Sequence, residues 1–387
     1  FRAKTPIESG DFDQLGVVFE RMDGYHSLFA AQVIPQPFES VLDRKWGWTP
    51  YQLLLEVMDR QRRFIASLHW VDPSQSCPNS HLKTVALRYL RRPGSDTIDL
   101  TMMGKVFAAE ADQAKHLALG WWQEIASLFT YDYELVPASS PEAFEELSGL
   151  AYLDEIDSPT QMAEIRRYEM FTPRPGGQTV TEGDYVLLPF AWHPNGMEQV
   201  WRAMALLPCL SLVNVTLRPT CLYEAEEIHL SQLRAAAQKQ ASSDQVDLQL
   251  QGQLAAWLYT TQLSRLQHPF LMRVQVAAGE EGLVALARAV GTTLAYAPLT
   301  QTQPEQEALS ISYDIAMPSS DELVIAKENL RVLEFHGWGN DQAAPPYRRF
   351  RYLFDVTGAH CAFRLPFMPK GGLPGLQFTG LSFPARQ

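Results

Sequence analysis

Arginines recur in pairs along this chain: Arg62-Arg63, Arg91-Arg92, Arg166-Arg167, and Arg348-Arg349 with Arg351. Such forks suit phosphate or carboxylate recognition. Most of the pairs flank expected strands or helix faces and read as solvated edges. The cluster Arg348, Arg349 and Arg351 abuts a Pro/Gly turn and is the candidate contact for a phosphate or an acidic partner. His360-Cys361 is the one imidazole–thiol neighbour pair. On an expected strand, adjacent side chains point to opposite faces, so neither a dyad nor a shared metal site follows from it. His193, between Trp192 and Pro194, reads as a turn residue. Glu224, Glu226, Glu227 and Glu280-Glu281 read as acidic helix starts that suit the dipole.

Nucleotide chemistry has no motif to stand on. Gly-x-x-x-x-Gly-Lys-Ser/Thr is absent, and Gly176-Gly177 and Gly371-Gly372 lack the Lys-Ser/Thr that would open a phosphate-binding helix. A dinucleotide fingerprint, Gly-x-Ser-x-Gly and His-Glu-x-x-His are also missing. No residue is assigned a catalytic, nucleotide-binding or metal-binding role, and this chain itself calls for no cofactor.

Composition bounds the remaining possibilities. The 387 residues suffice for two or three domains, with 46% apolar and 20% charged residues. A net charge of −12 opposes wrapping nucleic acid over the whole surface, though not a local basic channel. Cys77, Cys209, Cys221 and Cys361 are scattered without paired spacing, which points to a reducing cytoplasm. No apolar run reaches the ~18–20 residues of a membrane span, so membrane association is expected only through partners.

The elements that would position these groups are legible from patterning. Two apolar runs around Met22-Asp23-Gly24-Tyr25 predict a hairpin over 12–34. Thr49-Pro50 opens a helix, as capping Thr and first-turn Pro do. Strands at 84–90 and 97–107, a helix over 108–129, a strand at 131–136 and a short helix from Ser140-Pro141 complete a first round. On the 108–129 helix Trp121 lies on the apolar face, whereas Trp122 faces elsewhere and is a candidate partner contact; Trp46-Gly47-Trp48 offers further binding aromatics. The second round comprises strands at 162–171 and 185–190, a helix over 197–207 and a strand at 210–217. A helical hairpin (223–239 and 245–266) follows, then a strand at 270–276, a helix over 280–295, a strand at 309–316 and a helix over 321–335.

The predicted fold class is therefore α+β: two tandem ferredoxin-like split βαβ modules, the second enlarged by a helical hairpin insertion at 222–266 and ending in a Pro/Gly elbow. The expected domains are 1–155, 156–340 and a closing segment 341–387. In that last segment, 352–365 reads as a buried strand that breaks at Pro366 into a turn governed by Gly371-Gly372 and Pro374-Gly375. Phe367, Met368, Leu373 and Leu376 are too apolar for a free tail. Residues 366–385 are expected to dock on the body or on a neighbouring subunit, which makes these four the other interface candidates.

Several stretches together resemble a known family. They are Leu87-Arg88-Tyr89-Leu90-Arg91; Gly104-Lys105-Val106 leading into an alanine-rich helix; and Leu188-Pro189-Phe190-Ala191-Trp192. Thr216-Leu217-Arg218-Pro219-Thr220, Ala362-Phe363-Arg364-Leu365-Pro366 and Gly371-Gly372-Leu373-Pro374-Gly375 complete the set. Over roughly 84–376 the chain is similar to the region ahead of the motor in bacterial ATP-binding proteins of the HerA/FtsK class, which includes the VirB-type conjugation ATPases. The resemblance implies a non-catalytic assembly or substrate-engaging region of a ring-forming translocase acting on DNA or protein. Its partners would be copies of itself or other subunits, with nucleic acid reached through the larger assembly, and ATP and Mg would be needed only by a motor domain after the elbow. The rival expectations are a stand-alone scaffold subunit of a multi-protein complex, as in a defence system, and an enzyme whose site is not recognised.

Overall fold

The computed structural model describes residues 11–13, 15–36, 49–69, 83–173, 183–191, 196–295, 313–339, 348–369 and 372–380. Trp46-Gly47-Trp48, Cys77, His193, the Gly176-Gly177 turn and residues 381–385 lie outside them.

The chain is α+β. Strands β1 (Asp11–Asp13), β2 (Gly16–Arg21) and β3 (Gly24–Pro35) form the expected hairpin region. Helix α1 (Pro50–Ser67) begins at Thr49, whose hydroxyl accepts from the Gln52 N–H while Gln52 reaches back to the Thr49 N–H, a complete capping box. Next come β4 (Lys83–Arg91), β5 (Asp99–Ala108), α2 (Ala111–Leu128), β6 (Tyr133–Pro137), α3 (Pro141–Ser148) and α4 (Leu150–Asp154). The second half holds β7 (Met162–Arg167), β8 (Glu169–Pro173), β9 (Gly183–Leu187), α5 (Glu198–Leu206) and β10 (Ser211–Pro219). Then follow α6 (Glu224–Gln240), α7 (Val246–Arg265), β11 (Phe270–Ala278), α8 (Glu280–Ala295), β12 (Tyr313–Ala316) and α9 (Leu323–Arg331). The chain closes through β13 (Leu353–Phe354) and α10 (Val356–Ala362).

Eleven of these strands make one sheet, in the order β1-β2-β3-β5-β4-β10-β11-β7-β12, with β6 beside β3 and β13 beside β11. Each half repeats one pairing scheme: β6-β3-β5-β4 in the first and β12-β7-β11-β10 in the second, all antiparallel. The halves meet where β4 pairs β10, from Arg91 opposite Ser211 to Val85 opposite Leu217. β8 and β9 form a separate two-stranded ribbon.

The two faces of the sheet are chemically different. One carries Val85, Leu87, Tyr89, Val213, Val215 and Leu217, packed under α1, α2, α5, α8 and α10 in the largest apolar core. Side chains alternate along a strand, so the other face carries Thr84, Arg88, Lys105, Asn214, Thr216, Arg273, Gln275 and Glu164, each buried. Apolar patches around Phe144 and Leu333, and around Leu330 and Trp338, flank that polar strip.

The closing segment departs from expectation. Residues 352–365 are not a strand: only Leu353 and Phe354 pair with β11, and after Asp355 the seven residues Val356–Ala362 form α10. Asp355 explains the switch, because its carboxylate caps the helix by accepting from the Gly358 N–H at 2.8 Å. Helix α10 packs against α1 and β11, with the small residues Ala359, Cys361 and Ala362 buried. The expected helix over 321–335 likewise ends at Arg331, and residues 332–339 run on as an irregular strap over the polar face.

Candidate functional site

Arginine is the residue that organises the polar face. Arg88 donates from Nε to Asn214 Oδ1 at 3.0 Å and reaches the Ser148 and Leu330 carbonyls. On the opposite, helix-covered face Arg91 caps the Leu207 carbonyl, and Arg167 caps those of Phe350, Arg351 and Leu353. Helix ends and irregular segments carry carbonyls with no regular partner, and guanidinium forks satisfy several at once. Arg91, Arg166 and Arg167 are therefore buried structural donors, contrary to the solvated edges their sequence context suggests. Burial alone pulls the Arg88 guanidinium down to about 9.

Two carboxylates anchor the same layer. Glu164 pairs with Arg166 at 2.6 Å and with Arg273 at 3.1 Å. Glu334, on the strap, pairs with Lys105 and, at 3.0 Å, with Arg218. Burial raises the Glu334 carboxyl, but the adjacent Lys105 and Arg218 outweigh it and hold it at about 2. Burial takes Lys105 down to about 8, against the pull of Glu334. Burial and Glu164 push the Tyr352 hydroxyl up to about 12.

Of the predicted cationic cluster, only Arg348 is exposed. Arg349 pairs with Glu226 at 2.7 Å, donates to the Cys221 carbonyl at 2.9 Å and stacks 3.9 Å above the Tyr223 ring, tying the start of α6 to the body. Arg351 is buried and pairs with Glu169. The three do not converge on one surface.

The apolar candidates are mostly spent inside the chain. Met368 and Leu376 are buried in the main core. Phe367 packs on α1, and with Leu373 it lines a shallow cavity closed by Leu54, Met58 and Trp201. Trp122 is half-buried and meets the Phe29 ring edge-on.

What holds the elbow was not visible in the sequence. Gln61, buried on α1, donates from Nε2 to the Leu365 carbonyl and accepts the Leu365 N–H at Oε1, both at 3.1 Å. Tyr133 donates to the Pro366 carbonyl at 3.0 Å, and Tyr89 to that of Arg364. Further on, Arg202 donates to the Pro374 carbonyl at 2.8 Å, and Ile98 exchanges backbone bonds with Gln377 and Thr379. Gly372 (φ 77°) and Gly375 (φ 74°) supply the left-handed turns between these anchors. The described part of 366–380 is thus docked on the body, as its apolar content requires.

His360 and Cys361 fall on α10 rather than on a strand, and both are buried. Cys361 Sγ faces the Thr357 and Phe190 carbonyls, and burial pushes its thiol up to about 12, far from a thiolate. His360 lies 3.4 Å from Gln61 Oε1, and burial beside Arg364 keeps it neutral. Cys221 is disulfide-bonded while Cys209 and Cys361 are free thiols, a bond that runs against the reducing compartment expected from cysteine spacing. Sequence spacing hides such a bond because pairing depends on proximity in space.

Among the described residues no group of three or more His, Cys, Asp or Glu side chains is arranged to hold a metal ion, and no helix is long and apolar enough to cross a membrane. The chain matches no family model and no curated protein.

Proposed function

We propose that this chain is a non-catalytic assembly module: two ferredoxin-like split βαβ units fused edge to edge through β4 and β10, serving a ring-forming, HerA/FtsK-like translocase of DNA or protein. The repeated strand scheme in the two halves supports the tandem reading. The observation that carries the functional reading is the clamp on the elbow. Gln61, Tyr133 and Tyr89 grip three successive residues, Arg364 to Pro366, and Met368 and Leu376 seat the stretch that follows, so the closing segment runs along one fixed path. A rigid exit is what a module needs if it is to hold a motor in register with its neighbours. Under this reading ATP and Mg belong to the motor, the partners are further subunits, and the chain works in the cytoplasm.

A second reading, a scaffold subunit without a motor, is favoured by the helical hairpin. Val246, Leu250 and Trp257 share one stripe of α7 and are exposed, an apolar face suited to a protein partner.

Native mass spectrometry and ATP titration of the product of the complete open reading frame separate the two. A ring that hydrolyses ATP, and that loses assembly when Gln61 is replaced by Leu, supports the module. A gene product without a phosphate-binding loop, or ATP hydrolysis by residues 1–387 alone, overturns it.

A further inference from the structure

The strap is bound to the sheet as a peptide ligand is bound to a groove. It crosses the polar face with its carboxylate and carbonyls turned down onto cations from several strands. Glu334 meets Lys105 of β5 and Arg218 of β10. The Phe335 ring lies under the guanidinium groups of Arg218 and Arg273, 4.7 and 5.5 Å away. The His336 carbonyl accepts from Arg273 at 3.1 Å. The Trp338 carbonyl accepts from Arg166 at 2.9 Å, and its ring stacks against the same guanidinium.

Three features bear on how firmly this segment is seated. Leu333 has φ 54°, the one non-glycine residue in the left-handed region among the described residues, a costly conformation for a branched side chain. Beneath the strap, Arg273 is 1% exposed, yet its Nη1 has no acceptor, and the Trp338 Nε1 above is also unsatisfied. Buried donors of this kind are ordinarily paired, so the fit of strap to sheet is incomplete. Finally, His336 and Gly337 at the middle of the strap are exposed, which gives a competitor a place to start.

We propose that Leu333–Gly339 is an internal occupant of a peptide-binding face, displaced by an extended partner segment with the same acid–aromatic–x–x–aromatic spacing. The contacts specify the chemistry. Arginines that take main-chain carbonyls select a peptide, Lys105 with Arg218 selects a carboxylate, and the stacked guanidinium groups of Arg218, Arg273 and Arg166 select two rings. A phosphodiester strand would offer the charge but not the carbonyl spacing.

A labelled synthetic peptide of residues 330–339 is the probe, titrated against the wild-type chain and against the double variant Glu334→Gln/Trp338→Ala. The variant is expected to bind at least tenfold more tightly than the wild type. Adding Lys105→Gln, or using a peptide with Gln at the position of Glu334, should remove most of that gain. Equal binding of a scrambled peptide, or binding of an oligodeoxythymidylate in preference to the peptide, overturns the proposal. Amide exchange of the wild-type chain gives an independent readout, needed if the double variant loses its cooperative unfolding transition. Amides of 333–339 should exchange well before those of β10; exchange as slow as that of β10 means that the strap never leaves, and the proposal fails.

Discussion

The two faces of the central sheet solve the same problem by different means. On the face covered by α1, α2, α5, α8 and α10, helices satisfy most of their own backbone and pack through apolar residues such as Trp121, Phe270 and Leu286, with polar capping confined to the elbow and helix ends. On the opposite face the cover includes the irregular strap, whose carbonyls have no regular partner, and the sheet answers with Arg166, Arg218 and Arg273. The difference teaches that the buried arginines of this face serve carbonyls of the strap and of helix ends. Their presence is no sign of a nucleic-acid surface.

If that distinction holds, the apolar face should be the more sensitive to truncation. Trp121→Ala removes a side chain that is 1% exposed and should cost about 3–5 kcal/mol, read from denaturant unfolding. A smaller loss than for Glu334→Gln would reverse the ranking of the two faces.

On the polar face, Glu334→Gln should cost about 1.5–3 kcal/mol at neutral pH through its lost charge-assisted bonds. The sign of its pH dependence follows from its depressed carboxyl. With a folded value of about 2 against an ordinary 4.5, it contributes stability above pH 4.5 that is lost as pH falls toward 2. Unfolding curves between pH 7 and pH 2 should therefore fall less steeply for the variant. Lys105 acts in the same sense in a higher window: its folded value of about 8 lies below the ordinary 10.5, so stability rises with pH between those values.

Gly104→Ala probes how tightly the apolar face is closed. A Cβ there would sit 2.0 Å from the Phe29 ring, which is fully buried, so a cost of about 1–3 kcal/mol is expected in thermal unfolding. No loss would show that the Phe29 layer yields.

The smallest effect is expected from deleting 240–253, the tip of the helical hairpin. Leu230, Leu233, Leu258 and Tyr259 anchor the hairpin below that point. The remainder should keep one cooperative transition near the wild-type temperature; its loss would make the tip part of the core.

Much of the architecture was written in local patterns. Thr49-Pro50, Asp23-Gly24, the 280–295 helix and the hairpin break at 242–244 each rest on a cap, a turn or a period of a few residues, and the structure keeps them. Residues 352–365 show the limit of that reading: an apolar run of this length suits strand or helix equally, and the Asp355 cap decided. The site was less legible still. The clamp on Leu365 and Pro366 comes from Gln61 and Tyr133, about 230–300 positions away, and no local signal marks either residue. The sequence alone determined which segments could bury a face, because periodicity is a property of neighbours. The tertiary structure decided which arginines are capped, which cysteine is bonded and which carboxylate sits on Lys105, because those depend on what the folded chain brings alongside.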